Sequence, residues 1–281
     1  MPTNHVLQCA GKVLDLSRPR VMGILNVTPD SFSDGGHFLE LDTALRQTEV
    51  MLAAGADVID VGGESTRPGA ADVAVQLELD RVLPVVEALT ERFDTIVSLD
   101  TSKSVVMREG AAAGAGIIND VRALREEGSV EAVVQTGLPV CLMHMQGEPR
   151  SMQHAPVYRN VVTEVIEFLM SRRQICIESG IAEAQIVLDP GFGFGKNLGH
   201  NLMLLKQLDR LCAEAPVLIG LSRKRMFAQI LKDDKVSRVT SSVAAALMCV
   251  ERGASIVRVH DVEQTVHALA VFQAVTNCQT E

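Results

Sequence analysis

Short apolar runs recur along this chain, each ending at a side chain that can hydrogen-bond or carry charge. VMGIL leads into Asn26, VI into Asp60, IVSL into Asp100, II into Asn119, VCLM into His144, IVL into Asp189, VLIGL into Ser222 and IVRV into His260. Runs this short, rich in Val and Ile and bounded by turn residues, are what strands buried on both faces look like. Between them the hydrophobic period lengthens from about 2 to about 3.6, the helical repeat. Residues 41–54 carry Leu45, Thr48, Met51 and Leu52 on one stripe, and Gly55 stands where a C-terminal cap belongs. The same pattern predicts helices over 74–91, 104–113, 129–136, 157–179, 198–212, 238–251 and 262–275. Gly114, Gly137, Gly180 and Gly253 repeat the role of Gly55, each a few residues ahead of a strand.

Strand then helix, repeated eight times, predicts an α/β fold of the (β/α)8 TIM-barrel type, with 6–16, VLQCAGKVLDL, as a short hairpin ahead of it. The polar endings then gather at the C-terminal rim, where such barrels build their active sites. The rival is an open doubly wound sheet, whose ligand groups would cluster at one switch point rather than on every strand. No linker interrupts the pattern, so 1–281 reads as one barrel domain.

Strand alternation sorts the polar residues. Ile256, Arg258 and His260 share one side of their strand, as do Ser98 and Asp100, and Val187 and Asp189. Arg258 and His260 therefore point together into the barrel mouth, where a guanidinium needs a partner. Either an internal ion pair with Asp60, Asp100 or Asp189 serves it, or an anionic substrate held by Arg258, His260 and cations from the loops does. A formal charge of −9 argues against nucleic acid or an anionic membrane as partner, so an anionic substrate has to be met by local cations. Six cysteines without a C-x-x-C pair, several inside apolar runs, read as reduced core residues of a cytoplasmic protein. Neither a secretion signal nor a run approaching about 18 apolar residues is visible.

Two loops are more specific than the strands that deliver them. Asn26-Val-Thr-Pro-Asp-Ser-Phe-Ser-Asp-Gly-Gly36 follows the first barrel strand, and Gly62-Gly-Glu-Ser-Thr-Arg-Pro-Gly69 follows the second. Further on come Asp100-Thr-Ser-Lys103, Asn119-Asp120, Leu188-Asp-Pro-Gly-Phe-Gly-Phe-Gly-Lys196, Ser222-Arg-Lys224 and Arg258-Val-His-Asp261. With these in order from Val21 to Asp261, the chain closely resembles the dihydropteroate synthase family. The resemblance implies a folate-pathway transferase that joins 6-hydroxymethyl-7,8-dihydropterin diphosphate to 4-aminobenzoate. The products are 7,8-dihydropteroate and diphosphate, and Mg2+ is the implied cofactor.

By matching positions, the resemblance implies that Asp100, Asn119, Asp189, Lys224 and Met143 hold the pterin. Asn26, Thr66, Arg67, Arg258 and His260 are implied for the diphosphate, with Asn26 also beside the metal. Phe32, Pro68, Phe194, Ser222 and Lys224 are implied for 4-aminobenzoate. Asp34, Arg67 and Lys224 are the expected catalytic residues, with Asp30 the weaker alternative to Asp34. A homodimer through the last helices is also implied. The stripe Val243, Leu247 and Val250 would serve it, and would serve equally as barrel-facing surface.

The chemistry of these residue types agrees. A pterin edge offers amino and ring N–H donors, which call for buried carboxylate and amide acceptors. Mg2+ prefers oxygen ligands, bridges phosphates and keeps several waters, so one protein amide oxygen suffices. Loss of diphosphate from a CH2 on an electron-rich pterin leaves a delocalised cation, so the expected route is dissociative and SN1-like, with cations stabilising the leaving group.

Three other motifs fail. Gly191-Phe-Gly-Phe-Gly-Lys196 lacks the spacing of a phosphate-binding loop, and Gly220-Leu-Ser222-Arg-Lys224 lacks the last glycine of a hydrolase elbow. Cys141 and His144, three apart, face opposite sides and make a poor dyad. The alternative functions are a pterin-binding methyltransferase for methylated folate, which has no use for a diphosphate site at Arg258 and His260, and a non-catalytic pterin-binding module.

Overall fold

A computed structural model describes residues 5–28, 37–65, 72–147 and 156–278, the side chains of 37–40 excepted. The expected hairpin forms β1 (Val6–Cys9) and β2 (Lys12–Asp15), paired antiparallel. Ala10 and Gly11 take φ of 49° and 82° between them, the geometry of a two-residue turn whose twist matches its strands.

The barrel strands are β3 (Arg20–Asn26), β4 (Val58–Gly62), β5 (Ile96–Asp100), β6 (Ile117–Asp120), β7 (Val140–Met143), β8 (Ile186–Asp189), β9 (Leu218–Ile219) and β10 (Ile256–Val259). They lie parallel in chain order; β10 returns to pair with β3, and a bridge from Leu188 to Val217 joins β8 to the β9 segment. Around them run α1 (His37–Ala53), α2 (Val75–Arg92), α3 (Ser104–Ala112), α4 (Ser129–Thr136), α5 (Val161–Glu178), α6 (Leu198–Lys206), α7 (Asp209–Cys212), α8 (Arg225–Leu231), α9 (Val239–Glu251) and α10 (Val262–Thr276). This is the expected (β/α)8 barrel. The glycines expected to end helices all adopt positive φ, between 67° and 105°.

The differences are local. Helix α5 begins after Asn160, not at 157, because the Asn160 side chain accepts the Thr163 N–H at 3.1 Å and caps the first turn. The helix expected over 198–212 is broken into α6 and α7. The seven residues of α8 were not anticipated. Strand β4 runs two residues past Asp60, which places that carboxylate inside the barrel rather than at its rim. Strand β9 covers only Leu218–Ile219, leaving Ser222 on the loop that follows.

Each barrel strand sends one apolar side chain into the N-terminal end: Met22, Val58, Ile96, Ile117, Cys141, Val187, Leu218 and Ile256. Leu7, Cys9, Leu14 and Leu16 from the hairpin segment pack on that layer and seal it. Gln185 ties the hairpin down, accepting the Gln8 N–H at 2.8 Å and donating to the Val6 carbonyl at 3.2 Å. The outward strand faces join the helices in a larger core that includes Val250, with Leu247 packed against it, so these two residues of the α9 stripe face the barrel. Among the described residues no helix is long and apolar enough to cross a membrane.

Candidate active site

Above the apolar layer the same inward faces turn polar. Asp60 is fully buried and accepts hydrogen bonds from Ser98 Oγ (2.6 Å), Asn119 Nδ2 (3.2 Å) and Arg258 Nε (2.6 Å). Arg258 Nη2 donates to Asp100 Oδ2 at 2.7 Å, so the guanidinium takes the internal pairing, between two carboxylates. Its Nη1 has no partner among the described residues. Asp100 and Asn119 are neighbours in register, so their acceptors lie side by side. Burial pushes Asp100 up to about 7; Arg258 pulls it down, and the Asp60 charge adds to the rise. Burial works against the Arg258 charge, yet Asp60 and Asp100 together hold it above the usual guanidinium range. Two carboxylates around one cation leave negative charge over, which suits a ligand edge made of N–H donors.

Asp189 ends β8, and its Oδ1 accepts the Gly191 N–H at 2.7 Å. Burial raises it to about 6, opposed by that hydrogen bond and by the charges of Lys224 and Lys196. Its register neighbour is Met143, which clusters with Val121 and Met145, and Phe194 packs against that cluster. Lys224 Nζ lies 4.2 Å from the centre of the Phe194 ring. Burial draws Lys224 down to about 8; Arg258 lowers it further and Asp189 opposes. An acceptor edge, an apolar wall and a cation are together what a flat, donor-rich heterocycle needs.

The loop that carries Phe194 has Gly191, Gly193 and Gly195 at φ of 66°, 80° and 60°. A Cβ at Gly191 would stand 1.9 Å from the His144 carbonyl, and one at Gly195 2.3 Å from that of Gln146. Only glycine permits the loop to lie directly on the end of β7.

Ser222 Oγ accepts the His260 N–H at 3.1 Å and lies 3.0 Å from His260 Nδ1, joining a residue expected for 4-aminobenzoate to one expected for diphosphate. Between Ser222 and Lys224 the chain turns through Arg223 at φ 56°, a conformation that costs a non-glycine residue about 1–3 kcal/mol. Arg223 is held there by Asp261, at 3.0 and 2.5 Å, and by its own N–H to Ser242 Oγ at 2.9 Å. Asn26 ends β3, half-buried beside Gly62, its side chain without a hydrogen-bond partner among the described residues. Asp30, Phe32, Asp34, Thr66, Arg67 and Pro68 lie outside the described residues. The base of the second loop is braced: Glu64 accepts the Val73 N–H at 3.3 Å, and Lys103 bridges Glu64 and Glu78.

Some strand-end groups serve elsewhere. His144 falls one residue beyond β7, and its ring packs edge-on against Phe168, centres 4.9 Å apart, on the helix side of the barrel. Cys141 belongs to the apolar base layer, so the two share no site. Asp120 parts from Asn119 and accepts Ser102 Oγ and the N–H groups of Arg122 (2.8 Å) and Leu124 (2.7 Å), shaping the next turn. Two residues that hold the site together were missing from the expected set. Asp60 was legible from the alternation Val58, Asp60, Gly62; Lys196 closes the glycine loop set aside as a failed phosphate motif.

Residues 22–260 match the family described as pterin binding enzyme. The dihydropteroate synthase of Escherichia coli strain K12 is 54% identical over 265 residues, covering 94% of both chains. The structure of the Yersinia pestis dihydropteroate synthase with a sulfonamide drug complex is similar at a TM-score of 0.92 and 55% identity, covering 97% of this chain and 100% of that one. The Xanthomonas albilineans dihydropteroate synthase with 4-aminobenzoic acid is similar at a TM-score of 0.93 and 49% identity, covering 99% of this chain and 100% of that one. With these likenesses spanning the barrel and its polar mouth, the chain belongs to the dihydropteroate synthase family of pterin-binding enzymes.

Proposed function

We propose that this chain condenses 6-hydroxymethyl-7,8-dihydropterin diphosphate with 4-aminobenzoate to give 7,8-dihydropteroate and diphosphate. The observation that carries the reading is the gathering of Asp100, Asn119 and Asp189 beside the apolar surface of Met143. In this reading the three acceptors take the pterin's N–H donors, Lys224 donates to its carbonyl side and Met143 packs on the ring. Arg258 and His260 meet the diphosphate, joined by Thr66 and Arg67 from the second loop.

The hard step is parting diphosphate from the pterin CH2, and cations already in place lower its barrier without reorganising. The C–O bond breaks with its electron pair going to diphosphate. Asp34 steadies the cation or orients the amine, whose nitrogen then bonds to the CH2 and gives up a proton to the departing diphosphate. Ser222 and Lys224 receive the 4-aminobenzoate carboxylate, while Phe32, Pro68 and Phe194 flank its ring and keep out water. The donor set fits Mg2+: Asn26 offers an oxygen, and no cluster of three or more His, Cys, Asp or Glu among the described residues forms a separate cage. When bound, Mg2+ supplies charge neutralisation to the diphosphate.

A homodimer through α9 and α10 is part of the proposal, supported by Met248, Val271 and Val275, which are 44%, 66% and 73% exposed. The six free thiols support a cytoplasmic setting. The test mixes purified protein, Mg2+, the pterin diphosphate and labelled 4-aminobenzoate. Labelled dihydropteroate and an equal amount of diphosphate are expected; neither forming at saturating substrate would overturn the reading. The dissociative order adds that 4-aminobenzoate binds well only once pterin and diphosphate are in place, and equally tight binding to the empty enzyme would contradict it.

A further inference from the structure

Lysine is almost never fully buried without a charged partner, yet Lys196 is 2% exposed and its Nζ meets no carboxylate among the described residues. It reaches instead the carbonyls of Phe194 (2.9 Å), Gly191 (3.0 Å) and His144 (3.3 Å), and His144 Nδ1 (2.9 Å). The left-handed glycines turn the Gly191 and Phe194 carbonyls inward beside that of His144, where buried acceptors need a donor. An ammonium brings three donors on one atom, and charge-assisted bonds are roughly twice as strong as neutral ones. Burial pulls Lys196 down to about 7, with the Asp189 charge raising it and Lys224 lowering it. Burial likewise keeps His144 neutral, drawn down to about 2, so its ring nitrogen adds no charge. The rest of the loop is pinned from outside: Asn201 Oδ1 accepts the Gly193 N–H at 2.8 Å, and Tyr158 donates to the Gly195 carbonyl at 2.9 Å.

We propose that Lys196 is a positioning residue for the 4-aminobenzoate subsite. Its Nζ gathers the His144, Gly191 and Phe194 carbonyls and so sets the Phe194 ring against Lys224. The inference rests on the function proposed above. Asp189 is held by β8 as well as by this loop, so the pterin grip depends on Lys196 far less than the Phe194 ring does.

The test is Lys196→Met, which keeps length and removes every donor. Losing hydrogen bonds to a charged group is expected to raise KM for 4-aminobenzoate about 10-fold or more, while Kd for the pterin diphosphate stays within about 3-fold. Phe194→Leu should raise the same KM, and adding Lys196→Met to it should cost less than about 2-fold more, because both act through one ring. Both constants moving in parallel, neither moving, or an undiminished effect in the Phe194→Leu background would overturn the inference. If Lys196→Met does not fold, Lys196→Gln carries the test with a smaller rise of about 3-fold, because it keeps two donors. If neither folds, the lysine is purely structural and the inference falls. Wild type in the same assay separates the claims: no product removes both, whereas an active wild type with an unaffected Lys196→Met removes this one alone.

Discussion

The two ends of the barrel are built from the same strand faces and do opposite things. On β5, Ile96, Ser98 and Asp100 share one side; on β10, Ile256 and Arg258 do. Their first members lie in the apolar layer under the hairpin, and their later members reach the polar mouth. At the base, burial alone stabilises, by roughly 25 cal/mol per Å2 of apolar surface, and no side chain there needs a particular partner. In the mouth each charge has to be matched, and a buried ion pair contributes little net stability although breaking it costs much. The base therefore holds the barrel closed, while the mouth keeps charges whose value lies in the ligand they receive.

Arg258→Met strains that division most. Asp60 and Asp100 would face each other unpaired, at a cost of about 3–5 kcal/mol in denaturant unfolding, and product formation should fall by about 100-fold or more. Leu14→Ala is its counterpart at the base. About 3 kcal/mol of stability should go, read in the same unfolding experiment, with both KM values within about 2-fold of wild type. Lys224→Ala should leave stability nearly unchanged and weaken pterin binding about 30-fold, near 2 kcal/mol, measured by calorimetry.

The smallest effect is that of pH. In the proposed function Asp189 and Asp100 take the pterin's N–H donors best when ionised, and their values of about 6 and about 7 mean that acid turns one acceptor oxygen of each into a donor. Binding should weaken about 10-fold as pH falls from 7 to 6 and again above about 8, where Lys224 loses its charge. The acid limb should shrink in Asp189→Asn; an unchanged limb would separate it from this carboxylate.

Much of this was legible from periodicity, because strands buried on both faces and amphipathic helices leave different repeats. Parts governed by contacts beyond the repeat were not. Helix α8 is too short for a stripe to show, and the break between α6 and α7 lies within a run, Leu204, Leu205 and Leu208, whose residues are buried on both sides of it. At Asp100, Asn119 and Asp189 the polar endings fall inside β5, β6 and β8, where the inward alternation still holds. His144 lies one residue past β7, where alternation no longer applies, and it turned to Phe168 instead. Asp60 was visible as a possible partner for Arg258, but its link to Ser98 and Asn119 depends on strand stagger, which no single run encodes. Lys196 depended on the positive φ of three glycines bringing carbonyls together, a convergence that a motif spacing does not describe.

The most direct measurement is a calorimetric titration of the pterin diphosphate, with Mg2+, into wild type, Asp189→Asn and Leu14→Ala. Wild type and Leu14→Ala should bind with dissociation constants within about 3-fold of each other, and Asp189→Asn about 100-fold more weakly. Equal affinities in all three, or equal losses in both variants, would contradict the assignment of binding to one end of the barrel and stability to the other.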